Sequence, residues 1–296
     1  MNPMRLFVPL AALFAPVALP AQDAVSPPPQ ADIVVTAKGQ PLDPQIVTRQ
    51  AREVTRETDL RHEPLPRFDG LACPGVIGLA SDYAEMLVGR IRMIAKDLHI
   101  PLAPNGDCHA NVIVAFTEDG RADLAEIQKK THILSDALTV QERQELLDEP
   151  GPVRVFSVVE TRMQNGSIVP RRKNLTDWSV GRMEGGQSLI STATERHITQ
   201  VLVLFDREQA AGKTLHQLAD YAVMRVFART RDAKGGDAPV SILGLFDENA
   251  TPPDGMTAFD RAYLAALYEG PSHVKGISKI LRVSRKLEKM KSTDDK

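Results

Sequence analysis

Three segments of strand length, Asn111–Thr117 (NVIVAFT), with its continuous apolar run, Val153–Thr161 (VRVFSVVET) and Ile198–Phe205 (ITQVLVLF), constrain this chain more than any other feature. Each is bounded by turn chemistry: Glu118-Asp119-Gly120 ends the first and Gly151-Pro152 precedes the second. Between them the period changes. Tyr83, Met86, Leu87, Ile91, Ile94 and Leu98 recur at three and four, which predicts a core-backing helix from about Ser81 to Leu98. Two shorter helices are expected near 121–130 and 139–148, the second begun by Thr139 and Glu142 at capping-box spacing.

A further helix follows the third run at Leu215. The last one of the domain starts at Thr257 with Asp260 in capping-box position, carries Tyr263, Leu264, Leu267 and Tyr268, and stops at Gly270-Pro271. This order predicts an α+β fold: a small mixed sheet of three to four strands, a backing helix and a helical C-terminal part, forming one domain over 66–272. The stretch from Asn165 to His197 is polar and glycine-bearing and reads as a long excursion.

The chain has 296 residues, 43% hydrophobic and 25% charged, enough apolar material for a substantial core. Its net charge of -2 provides no global attraction for nucleic acid, and no nucleic-acid partner is expected. Arg5, the uncharged run Leu6–Leu19 and the following PAQD have the order of a secretory signal peptide over 1–21, cut after Ala21. Export to the periplasm or beyond gives the two cysteines a role, because an oxidising compartment favours a Cys73–Cys108 disulfide.

Residues 22–65 read as a proline-rich and polar arm. Within it Asp32–Ala37 (DIVVTA) resembles the TonB box of outer-membrane receptors, and strand addition to an envelope partner is the interaction this implies. At the other end, 273–296 forms a basic amphipathic tail. Lys275–Lys291 carries seven basic residues and one acid, with Ile277, Ile280, Leu281 and Leu287 roughly on one face. Such a helix can lie on anionic lipid or pack its stripe on the domain.

The stretch AAGKTLHQLADYA, residues 210–222, carries three chemical readings. A phosphate loop would need glycine where Arg207 stands, and Glu208 would repel a nucleotide. A zinc helix would use His216 and Asp220 one turn apart, with Asp247, Glu248 or Asp260 as third ligand, but Gln217 occupies the place of the general base. The third reading is a structural helix capped by Thr214 with Gln217 reaching back.

CPGVIGL (Cys73–Leu79), RIRMIA (Arg90–Ala95), DCHANVIVAF, GPVRVF (Gly151–Phe156), QLADYAVMR and FDRAYLAALY (Phe259–Tyr268) resemble an uncharacterised family of exported alphaproteobacterial proteins, a domain of unknown function. The order of helices and strands is also similar to a zincin-like peptidase core. These resemblances imply an envelope location and transfer no catalytic residue. The expected function is noncatalytic binding on a degenerate hydrolase-like scaffold, without a cofactor; the alternative is a zinc-dependent hydrolase with atypical ligands.

Overall fold

The structure, a computed structural model, describes residues 43–104, 106, 108–170, 188–234 and 240–294. The expected signal peptide, the Asp32–Ala37 strand-addition segment and residues 171–187 of the polar excursion lie outside the described residues. The elements are α1 (Pro44–Glu53), β1 (Arg67–Phe68), β2 (Pro74–Ile77), α2 (Ser81–Asp97), β3 (Val112–Thr117), α3 (Gly120–Lys130), α4 (Ile133–Ala137) and α5 (Val140–Asp148). They continue with β4 (Val153–Met163), β5 (Ile168–Val169), β6 (Thr194–Asp206), α6 (Arg207–Ala210), α7 (Leu215–Phe227), α8 (Ala258–Tyr268) and α9 (Gly276–Asp294).

The long strand β6 organises a mixed sheet of order β2-β3-β6-β4-β5, with β1 beside the start of β6. β2, β3 and β6 run parallel, whereas β4 pairs antiparallel with both β6 and β5. Alternation along the strands explains the apolar runs. Val114, Phe116, Val203, Phe205 and Val155 point to one face and join α2, α7 and α8 in the larger core. Ala115, Leu204 and Phe156 point to the other, against Leu124, Leu134 and Leu146 of α3, α4 and α5.

α7 is buried from Gln217 to Phe227, which a helix tolerates only when it is enclosed on all sides. Its start follows the sequence: the Thr214 hydroxyl accepts from the Gln217 N–H at 3.1 Å, and the Gln217 carbonyl oxygen accepts from the Thr214 N–H at 2.9 Å. The capping boxes expected at Thr139/Glu142 and Thr257/Asp260 are present as well. Cys73 and Cys108 form a disulfide with Cα atoms 6.1 Å apart, tying the start of β2 to the loop before β3. Gly78 follows β2 at φ +85°, where an added Cβ would lie 2.2 Å from the Phe116 carbonyl oxygen, so the turn into α2 requires glycine.

Four expectations need correction. The sheet has six strands rather than three to four, because β1, β2 and β5 are too short, or too rich in Pro and Gly, to show as apolar runs. Residues 44–65 are not a separate arm: α1 buries Val47, Gln50 and Ala51 against the domain, and β1 is preceded by chain already packed on it. The domain does not end at 272: of the two readings of the segment beyond 273, packing on the domain is the one seen, since Ile280, Val283 and Leu287 of α9 are buried in the main core, next to α8 and α1. Its apolar stripe is thereby occupied, leaving Leu281, Arg285, Lys289 and Lys291 toward solvent. On α2, Leu87, Ile91 and Ile94 face the core, but Tyr83 and Met86 are exposed. Among the described residues no helix is long and apolar enough to cross a membrane.

Candidate functional site

The structure brings His216 and Asp220 together, with Nε2 and Oδ2 3.2 Å apart. Their surroundings do not suit a metal ion. Asp220 is fully buried, and its carboxylate takes a two-pronged contact from Arg90 of α2, at 2.6 Å from Nε and 2.9 Å from Nη2. The Met256 N–H donates to the same Oδ2 at 2.6 Å. A cation at this carboxylate would displace a guanidinium and a buried amide, each of which would then lack a partner.

The proposed third ligands fit no better. Asp260 accepts from the Ser241 hydroxyl at 2.5 Å, the Ile242 N–H at 2.8 Å and the Thr257 N–H at 2.9 Å, so it closes the loop before α8. Asp247 accepts from the Asn249 N–H in a local turn, and Glu248 is exposed. Among the described residues no group of three His, Cys, Asp or Glu side chains is placed to hold a metal. Gln217, where a zinc protease has its base, completes the helix cap and donates to the Pro253 carbonyl at 2.7 Å.

A different site emerges where β4 meets α5 and the chain after α1. A polar cleft of about 360 Å³ opens there, lined by Arg56, Glu57 and Glu63 from one side, α5 from the other, and Val155, Phe156 and Ser157 of β4 between them. Arg196 of β6 and Arg229, which follows α7, complete it. Glu57 is the central group. Its side chain is 8% exposed; Oε1 accepts from Arg229 Nη1 at 2.9 Å and lies 3.8 Å from Arg196 Nη2. The second oxygen, Oε2, is buried with no hydrogen-bond partner. Leaving such a group unmatched costs about 1–3 kcal/mol, more for a charged one, so a donor, from water or from a ligand, is favoured there.

Further charged pairs surround this carboxylate. Arg196 is tethered to Glu63 at 2.9 Å. Arg56 pairs with Glu149, which also accepts from Arg225 at 3.2 Å, and Arg225 reaches Asp232 at 2.9 Å. Burial pushes the Tyr221 hydroxyl, 2.5 Å from Asp232, well above its ordinary range, so it stays a donor. Burial opposes the Arg225 charge, but Tyr221, Asp232 and Glu149 outweigh it and hold the guanidinium above its usual range. Through Arg56 the cleft joins this buried, charged network.

A second polar cluster joins His197 to Asp69 at 2.9 Å and to Glu195 at 3.0 Å, with His273 3.5 Å from Glu195. Burial opposes the Glu195 charge, while Ser272, His197 and His273 donate to it and bring its pKa below the ordinary value. Both nitrogens of His197 are engaged, and the cluster fastens the turn before α9 to β6. Comparison with protein-family models, characterised proteins and solved structures found no match to this chain.

Proposed function

We propose that this is an exported cell-envelope protein that acts by binding, on a scaffold without hydrolytic machinery, and that its ligand places a cationic group against Glu57 in the cleft beside β4. The observation that carries this reading is the buried, unmatched Oε2 of Glu57, a residue that lines the cleft. A carboxylate oxygen can only accept, so the missing partner must donate; an ammonium or guanidinium satisfies it with a charge-assisted bond. Carboxylates outnumber guanidinium groups in the lining, which favours a cation over an anion. The disulfide and the apolar leader support the envelope location.

Calorimetric titration with arginine amide tests the reading. Saturable binding is expected, weakened about tenfold or more by Glu57→Gln, which keeps the shape and removes the charge. Equal affinity in the two proteins, or no heat at about 10 mM ligand, an affinity below about 3 kcal/mol, overturns it.

A further inference from the structure

The backbone at the floor of the cleft has a definite phase. In the antiparallel pairing of β4 with β6, the Asp206 N–H donates to the Pro152 carbonyl, which makes 152 and 206 a hydrogen-bonded pair. Hydrogen bonding alternates along such a ladder, so Arg154, Phe156 and Val158 turn their main-chain groups toward β6, and Val153, Val155 and Ser157 turn theirs away. The far end of β4 agrees: the Met163 N–H donates across the opposite edge to the Ser167 carbonyl, next to β5. β5 pairs β4 only at Thr161 and Arg162. Among the described residues no strand covers the outward groups of Val155 and Ser157, and both residues line the cleft.

From this we infer that the cleft receives its ligand as an extended peptide bearing a basic side chain, added as a strand to the Val155–Ser157 edge of β4. The inference rests on the cation-binding reading of Glu57. An open sheet edge in a protein is a template for another strand, and main-chain bonds supply affinity while one pocket supplies selection. The two requirements coincide here. The side chains of Val155 and Ser157 share the sheet face on which Glu57, Arg196 and Arg229 meet, so an added strand would carry every second side chain onto that face. A lysine or arginine there would approach Glu57, whose Oε2 is the buried carboxylate oxygen without a protein partner among the described residues. Residues of α5 and of the chain from Arg56 to Glu63 line the same cleft as this edge.

The probe is the blocked pentapeptide acetyl-Val-Thr-Arg-Val-Thr-amide, with three controls: Gln for Arg, N-methylated backbone amides, and arginine amide alone. The peptide should bind at least tenfold more tightly than arginine amide. N-methylation should remove that advantage, and the Gln peptide should lose at least tenfold. On the protein, Ser157→Pro deletes one outward N–H on an edge, where proline is tolerated; it should lower the affinity for the peptide at least tenfold more than that for arginine amide. Glu57→Gln should erase the preference for Arg over Gln in both ligands. Hydrogen exchange at the Val155 and Ser157 amides should slow on adding the peptide and not on adding arginine amide. If arginine amide binds as well as the peptide and Ser157→Pro changes nothing, strand addition is overturned while the cation site stands. If neither ligand binds, both readings fall.

Discussion

Arg90 of α2 grips Asp220 of α7 through two nitrogens, 2.6 and 2.9 Å from the two carboxylate oxygens, and this is the polar link between the two helices that cover the main face of the sheet. The pair is buried on the Asp220 side and a quarter exposed on the Arg90 side. Removing one partner strands the other. Asp220→Ala should therefore cost about 3–5 kcal/mol, whereas His216→Ala, whose side chain is 54% exposed, should cost under about 1 kcal/mol. Urea unfolding of the two variants measures both; a loss at His216 as large as at Asp220 would contradict the assignment of a structural ion pair.

The cap of α7 is a separate contribution. Thr214→Ala removes the acceptor of the Gln217 N–H and should lower stability by about 0.5–2 kcal/mol, read from the denaturation midpoint. Serine at the same position should restore most of it.

That cap was readable in advance, as were α2, α5, α8 and the three long strands, because capping and apolar periodicity are local properties of the chain. Other features depend on tertiary contact. α1 is a short helix in a polar segment whose buried positions, Val47, Gln50 and Ala51, give too narrow a stripe to stand out. The arginine that claims Asp220 lies 130 residues away, so HQLAD could be read locally as a metal helix or a capped one. The cleft left no sequence signal at all: Glu57 and Arg229 are 172 residues apart, and backbone pairing of Val54–Arg56 with Arg229–Arg231 brings them together. An acid in a segment that otherwise looked like a linker was the nearest thing to a hint.

The Cys73–Cys108 bridge closes a loop of 35 residues. In the chain-entropy account such a crosslink stabilises by about 4 kcal/mol, so the reduced protein should melt several degrees lower with its secondary structure retained below the transition. Thermal melts with and without reductant decide; identical midpoints would show that the bridge constrains nothing the fold does not already hold.

Stability should also rise between about pH 8 and pH 10. Lys279 is 3% exposed, donates to the Glu269 carbonyl, and is pushed down to about 8 by burial, with Arg67 and Arg282 adding to the effect. In this window the unfolded chain binds a proton that the native state has released, so raising pH favours folding, by up to about 3 kcal/mol. The gain ends as the tyrosines of the unfolded chain ionise near pH 10, since burial holds Tyr221, Tyr263 and Tyr268 protonated in the native state. Lys279→Met should flatten the rise, and a slope unchanged by this variant would assign it to another group.

The central claim is that Glu57 Oε2 takes a cationic donor from the ligand, and a crystal structure of the protein with arginine amide tests it most directly. The account predicts a guanidinium nitrogen about 2.8 Å from that oxygen, with Arg196 and Arg229 in place around Oε1. An Oε2 paired with another protein group, or an arginine amide bound elsewhere with the cleft unchanged, would contradict it.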